Sequence, residues 1–218
     1  FLEDRVRERY NLFICGGTAS GKTTLLNILG SFIPLEERII TIEDAAELQL
    51  KSLDNLVTLE TRKANVEGKG EITIRDLIRA SLRMRPTRII VGEIRGAEAL
   101  DMLQAMNTGH DGSLSTGHGN STRDMLSRLE VMVLMAGEEI PLAAIRSQIA
   151  SALDILIHLG RCRDGQRKVL EISQIDGVSR EGIQVSPLFL YENGEKEKEG
   201  SLKRTDIPLR IRKGTAAG

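Results

Sequence analysis

Hydrophobic and polar positions change their spacing from segment to segment along the chain, and this spacing predicts the secondary structure. Short runs of apolar, often β-branched residues predict buried strands at 11–15, 38–42, 55–60, 88–93 and 113–116. Helix-forming segments with apolar residues at helical spacing predict helices at 24–29, from 73 onwards, at 96–108, 121–136 and 141–153. Strands that alternate with helices are typical of a mainly parallel sheet flanked by helices, so the sequence predicts an α/β fold.

The C-terminal part of the chain has a different pattern. Apolar runs at 155–159 and 169–175 flank a turn at Asp164 and Gly165, which predicts a β-hairpin extension of the sheet. Residues 183–191 are expected to form one more strand.

The two ends of the chain suggest how it is organised. The charged segment 192–200 predicts a mobile loop, and we divide the chain into a main domain of residues 1–178 and a C-terminal strand and tail of residues 179–218. Residues 1–9 have the pattern of the end of a helix that leads into the first strand, which suggests that a further domain precedes them.

A glycine-rich loop joins the first strand to the helix that follows it. Its sequence fits the phosphate-loop pattern G-x-x-x-x-G-K-[ST], and the order strand, loop and helix is the context in which that pattern binds phosphate. Lys22 would reach the β- and γ-phosphates, and the Thr23 hydroxyl would ligate Mg²⁺. The predicted nucleotide-binding residues are Gly17, Thr18, Ala19, Ser20, Gly21, Lys22, Thr23 and Thr24. We therefore expect the chain to bind a nucleoside triphosphate.

Acidic residues and one histidine follow three other predicted strands. Glu43 and Glu47 lie after strand 38–42, Glu93 ends strand 88–93, and His118 lies between two glycines after strand 113–116. Ligands of open parallel sheets bind at the carboxyl ends of the strands, so these side chains are candidates to position water, Mg²⁺ or a phosphate. The alternatives are a solvated acidic loop and a surface histidine.

Several arginines lie in the segments that border these strands. Arg75, Arg79 and Arg83 recur at helical spacing, which fits either a solvated helix face or a surface that meets phosphates or the acids of a neighbouring subunit. The candidates for a catalytic arginine are Arg62, Arg75, Arg83, Arg85 and Arg95.

Composition and charge disfavour some classes of protein. The net charge is −1 and aromatic residues make up 3% of the chain, so the sequence has neither the basic surface nor the stacking platforms of a nucleic-acid protein. The two cysteines, Cys15 and Cys162, fit no metal spacing and predict buried thiols in a reducing compartment. The sequence contains neither a long apolar run nor a signal-peptide pattern, and we expect a cytoplasmic location.

Four motifs in order resemble those of a known family. They are the phosphate loop, the segments Thr41 to Leu48 and Ile90 to Gly96, and the segment Ser115 to Asn120. Together they are similar to the Walker A, Asp-box, Walker B and His-box motifs of the type II and type IV secretion ATPases. The segments between them resemble the CpaF/TadA branch, which assembles Flp-type pili and is similar to the VirB11-like ATPases.

The resemblance implies a RecA-like ATPase domain that hydrolyses ATP with Mg²⁺ in a homo-oligomeric ring, normally a hexamer. It also implies peripheral association with the cytoplasmic face of the inner membrane, through a platform protein of a pilus or secretion system. The charge balance and the few aromatic residues, independently of the resemblance, predict no nucleic-acid partner. By analogy, Glu47 or Glu43 positions the attacking water, Glu93 is the Walker B acid that helps to hold Mg²⁺, and His118 senses the γ-phosphate. Arg85 lies where VirB11-like relatives place an arginine that contacts phosphate.

Two departures from the family pattern and two other functions stay open at this point. Ala19 replaces a commoner glycine in the phosphate loop, and Gly119 replaces a commoner alanine in the His-box. A nucleotide-gated binding module without efficient turnover would keep the same loop, and so would a RecA-like nucleic-acid translocase. The intact Glu43, Glu47 and Glu93 favour an enzyme over the module, and the charge balance disfavours the translocase.

Overall fold

The computed structural model describes residues 1–162, 165–192 and 200–211. The strands are β1 (Leu12–Gly16), β2 (Ile39–Glu43), β3 (Leu56–Glu60), β4 (Arg88–Ile94), β5 (Leu114–Gly117), β6 (Ile155–Arg161), β7 (Arg167–Ser179), β8 (Gly182–Glu192) and β9 (Ser201–Arg204). The helices are α1 (Leu2–Arg7), α2 (Lys22–Gly30), α3 (Ile74–Ser81), α4 (Glu98–Asn107), α5 (Thr122–Leu134) and α6 (Leu142–Ala152), with a 3₁₀ turn at Leu82–Met84.

All the described strands belong to one sheet, in the order β3-β2-β4-β5-β1-β6-β7-β8-β9. Strands β3 to β6 of this order pair in parallel, and β6 to β9 pair as antiparallel neighbours. The predicted α/β fold, with a mainly parallel sheet and a C-terminal hairpin, is therefore confirmed. Strand β1 lies in the middle, so the phosphate loop that follows it opens at the centre of the sheet edge.

Helices cover both faces of the parallel half. Helices α3 to α6 pack on one face around a core that includes Phe13 and Val91, and α1 and α2 pack on the other around Leu12 and Ile14. Every residue of β1 is buried because both of its faces are covered, which explains why its sequence is a continuous apolar run. Among the described residues, no helix has the length and apolar character needed to cross a bilayer.

Element boundaries differ from the predictions mainly near the C-terminus. Strand β7 extends beyond the predicted run 169–175 in both directions, because its first residues pair with β6 and its last residues pair with β8. Strand β9 was missed, since this short edge strand has no apolar alternation. The predicted mobile loop lies mostly outside the described residues. The division after residue 178 stays a prediction, although the same sheet continues past it.

The arginine row on α3 is mostly engaged within the chain. Arg75 Nε and Arg79 Nε each donate to a different oxygen of Asp101, at 2.7 Å, and the Asp101 carboxylate on α4 is buried. Two of the three arginines therefore hold α3 against α4, a contact within the chain that neither of the two alternatives described. Arg83 is exposed.

Arg88 is a fully buried arginine at the amino end of β4. Its guanidinium donates to both carboxylate oxygens of buried Glu37, at 2.7 and 2.6 Å, and Nη1 also donates to the Val6 carbonyl oxygen of α1 at 2.6 Å. Gly112 leaves the space for this side chain, since a Cβ there would stand 2.5 Å from Nη1. These contacts tie α1 to the sheet.

Candidate active site

A cleft of about 480 Å³ opens at the carboxyl ends of β1, β2, β4 and β5. Parallel strands bring their carboxyl ends to one edge, which is where the ligands of open α/β sheets bind. The cleft is lined by Thr18, Ala19, Ser20, Gly21, Lys22, Thr23, Thr24, Glu43, Asp44, Ala45, Glu47, Ile74, Gly92, Glu93, Arg95, Thr116, His118 and Arg167. The predicted phosphate loop, the three glutamates and His118 therefore line one cavity.

The phosphate loop turns the chain sharply into α2. Gly21 caps the helix with φ = 99°, a conformation that glycine adopts without strain. Ala19 also has a positive φ, 56°, so the residue that replaces a commoner glycine takes a conformation that costs about 1 kcal/mol for a side chain with a Cβ. The N–H groups of the first turn of α2 have no partner within the helix, and they are oriented to bind an anion.

Lys22 is the first residue of α2 and is almost completely buried. Its ammonium donates to the carbonyl oxygens of Gly16 and Gly17, at 3.1 and 3.0 Å. Burial lowers the pKa of Lys22, and the nearby negative charge of Glu93 opposes that shift. The ammonium thus lies at the mouth of the loop as a poorly hydrated cation, which binds phosphate more strongly than an exposed one would.

Glu43 is a buried carboxylate at the end of β2. Its Oε1 accepts the backbone N–H groups of Glu47 and Leu48, at 3.1 and 3.0 Å, whereas its Oε2 is buried without a hydrogen-bond partner among the described residues. Gly92 makes room for it, because a Cβ there would stand 2.9 Å from Glu43 Cγ. Burial raises the pKa of Glu43, and these two backbone N–H groups oppose the shift.

Glu47 lies on the rim of the same cleft and is exposed. Its backbone holds the Glu43 carboxylate, whereas its side chain faces solvent. The sequence did not decide between Glu43 and Glu47 as the residue that positions water. Their surroundings differ: Glu43 is buried, with one oxygen unpaired among the described residues, whereas Glu47 is exposed to solvent.

Glu93 is the centre of a charged network at the end of β4. Its Oε1 lies 2.9 Å from His118 Nε2, and its Oε2 is paired with the Arg95 guanidinium. Arg95 also lies 3.6 Å from Asp44. Both oxygens of Glu93 are thus occupied by cationic or hydrogen-bonding side chains, and a phosphate in the cleft would compete with Glu93 for them.

Some lining residues were not predicted, and some predicted arginines lie elsewhere. Thr116, whose hydroxyl donates to the Gly92 carbonyl oxygen at 2.7 Å, and Arg167 on β7 carry no motif signal of their own. Arg85 has a positive φ of 56° and lies before the amino end of β4, away from the edge that holds the cleft. The candidate arginines that do not line the cleft are Arg62, Arg75, Arg83 and Arg85.

Replacing Glu43 with glutamine is expected to stabilise the protein at neutral pH, by on the order of 1 kcal/mol. The folded protein raises the pKa of Glu43, so ionised Glu43 destabilises the fold, and wild type regains stability as the pH falls through the raised pKa towards the ordinary value. The advantage of Glu43→Gln should therefore shrink on acidification, which denaturant unfolding at several pH values measures. Glu36→Gln, an exposed control, should show neither effect. A Glu43→Gln variant less stable than wild type at pH 7 would contradict this account.

Comparison with known proteins identifies a family that this chain matches and several proteins that are similar to it. The chain matches the family described as "Type II/IV secretion system protein" over residues 1–193. A Mycobacterium tuberculosis protein named for a candidate role in conjugal transfer is 46% identical over 172 residues, which cover 79% of this chain and 48% of that protein. The type IV secretion system protein PtlH of Bordetella pertussis is 39% identical over 183 residues, or 82% of this chain and 54% of PtlH.

A solved structure shows the same fold. The VirB11 ATPase from the Brucella suis type IV secretion system, crystallised in complex with sulphate, matches 79% of this chain with a TM-score of 0.72 and 35% identity. The match covers 50% of the VirB11 chain. The present chain therefore spans about half the length of the relatives it matches.

Proposed function

Because this chain belongs to the type II/IV secretion system protein family, we propose that it is the ATP-hydrolysing motor domain of a secretion or pilus-assembly machine. The observation that carries the proposal is the single cleft in which the phosphate loop meets Glu43, Glu93 and His118. A phosphate cradle, a buried carboxylate and cationic side chains are the groups that phosphoryl transfer to water requires. An enzyme is therefore favoured over a passive nucleotide-gated module.

The phosphate loop holds the nucleotide. The N–H groups at the start of α2 bind the β-phosphate, and Lys22 turns from the Gly16 and Gly17 carbonyls to the β- and γ-phosphates. Thr23 and the phosphate oxygens would hold Mg²⁺, which neutralises the charge that develops at the transferred group. Thr23 lines the cleft beside Lys22, which fits this assignment.

The carboxylates of Glu43 and Glu93 have different roles in the reaction. Glu43 lines the cleft, has a raised pKa and keeps one buried carboxylate oxygen without a hydrogen-bond partner among the described residues, so it is the better candidate to orient the attacking water and accept its proton. Glu93 takes the place of the Walker B acid. Its pairing with His118 and Arg95 supports a γ-phosphate sensor, since the phosphate can draw both side chains away from Glu93.

A homo-oligomeric ring, normally a hexamer, completes the proposal. Of the candidate arginines only Arg95 lines the cleft, and Glu93 and Asp44 already pair with it. A further arginine from a neighbouring subunit would stabilise the transferred phosphoryl group, and Arg83 and Arg85 are exposed and thus open to such a contact. By the motif resemblance we assign the motor to the Flp-pilus branch, at the cytoplasmic face of the inner membrane, with a platform protein as its partner.

Specific ATPase activity is expected to rise with protein concentration through the range in which the chain associates. An arginine supplied by a neighbouring subunit accelerates phosphoryl transfer by roughly 10³- to 10⁵-fold, so a site completed in the ring is nearly silent in the monomer. Phosphate release should be measured beside the molecular mass, with and without ATP and Mg²⁺. Specific activity that stays constant from dilute monomer to assembled protein would refute the shared site. Stimulation by DNA or RNA would instead favour a translocase.

A further inference from the structure

We propose that Arg167, at the start of β7, contacts the phosphates of the bound nucleotide from within the same chain. This inference rests on the proposed function, because it names a further residue of that nucleotide site. Arg167 lines the cleft, and its Cδ lies 3.6 Å from the point where a Cβ of Gly21 would stand. The aliphatic stem of Arg167 therefore lies over the residue that caps α2, where phosphate binds.

The position of β7 in the sheet places Arg167 on the opposite side of the phosphate loop from Arg95. Arg95 follows β4, which lies on one side of β1, whereas Arg167 begins β7, which lies on the other side beyond β6. The phosphate loop after β1 lies between them. A nucleotide in the loop would thus meet Arg95 and Arg167 from opposite sides.

The charges around Arg167 also favour an anion. In the antiparallel ladder Arg167 lies directly opposite Arg161, so two positive side chains leave the same face of the hairpin. Like charges in such a pair destabilise a ladder, and no carboxylate of the described residues forms an ion pair with either arginine. A phosphate near Arg167 would relieve that repulsion.

The location over Gly21 predicts which phosphates Arg167 contacts. The phosphate loop holds the β-phosphate at the helix cap, and this group is present in both ADP and ATP. A contact made equally with both nucleotides strengthens binding and leaves the chemical step unchanged. Arg167 should therefore act on affinity, in contrast to the residues that approach the γ-phosphate.

The test compares the affinities of MgADP and MgATP in the 218-residue chain and its variants. Arg167→Ala is expected to lower the affinity for both nucleotides by roughly tenfold or more, because a charge-assisted hydrogen bond to phosphate is lost. Arg167→Lys should recover part of that loss, and kcat at saturating ATP should stay within about twofold of wild type. Arg180→Ala, an exposed arginine in the turn at the other end of β7, is the matched control and should bind as wild type does.

Three results would overturn the inference. The first is unchanged affinity in Arg167→Ala while wild type binds normally, and the second is a loss confined to ATP. The third is a variant that binds ADP more weakly but binds inorganic pyrophosphate as wild type does. This result would place the contact on the base or the ribose. If wild type binds neither nucleotide, the proposed function fails as well, so the two failures are distinguishable.

Discussion

Replacing Lys22 with alanine is expected to reduce ATP hydrolysis by at least roughly 10²- to 10³-fold and to weaken MgATP binding strongly. Lys22 is a nearly buried cation whose ammonium lies within hydrogen-bond reach of the loop carbonyls of Gly16 and Gly17. The N–H groups of the loop can still bind the β-phosphate without it. The charge that develops on the γ-phosphoryl group, however, loses its nearest mobile partner. Phosphate release at saturating ATP, together with a binding titration, measures both effects.

The control for this variant is Lys51→Ala, which removes an exposed lysine from a turn outside the cleft. It should hydrolyse ATP as wild type does. A thermal melt of Lys22→Ala is also needed, since the Lys22 ammonium bonds two loop carbonyls and its loss must not be confused with unfolding. Normal ATP turnover in a folded Lys22→Ala protein would contradict the assignment of residues 16–23 as a phosphate-binding loop.

Replacing Arg88 with methionine is expected to lower the free energy of unfolding by about 3–5 kcal/mol. Arg88 is fully buried and holds both oxygens of Glu37, so its removal leaves a buried carboxylate whose remaining cationic partner among the described residues is the half-exposed Arg9, 3.5 Å from Oε2. The Val6 carbonyl oxygen loses a donor at the same time. Because small and medium-sized domains are stable by only about 5–15 kcal/mol, this change alone can unfold a large share of the protein. Denaturant unfolding followed by circular dichroism measures it.

A second variant separates the cost of an unpaired charge from the value of the pair itself. Changing Arg88 to methionine and Glu37 to leucine together removes both charges, and this double variant should recover much of the stability that the single variant loses. Equal losses in the single and double variants would mean that packing, and not the unpaired charge, accounts for the effect. A stable Arg88→Met protein would contradict the buried ion pair.

The sequence predicted most of the parallel half of the sheet because both faces of those strands are buried. Burial on both faces requires continuous apolar runs, and the glycine and capping residues after them mark where helices begin. The helix predicted from residue 73 onwards begins with a capping box, in which Thr73 and Asp76 satisfy each other's backbone N–H groups. The meeting of Glu43, Glu93 and His118 also followed from the sequence, since parallel strands must end at a common edge.

The long-range pairings of charged side chains could not be predicted in this way. Nothing in the local pattern of β4 shows that Arg88 points inward to Glu37, or that Asp101 on α4 accepts from Arg75 and Arg79. The same limit applies to Arg167, which enters the cleft only because β7 lies next to β6 in the sheet. Such contacts depend on which elements become neighbours, and local periodicity carries no information about that.

The two ends of β4 give this strand a mechanical role. At one end Arg88 holds the Val6 carbonyl of α1, and at the other Glu93 enters the cleft. Seven residues of extended chain span roughly 20 Å, and from Arg88 to Val91 the strand pairs with β2 on one edge, while β5 pairs with it on the other. A displacement of α1 would therefore reach the cleft through the Arg88 contact and β4, and the irregular step between Val91 and Ile94, beside Glu93, is the part of that strand that can bend.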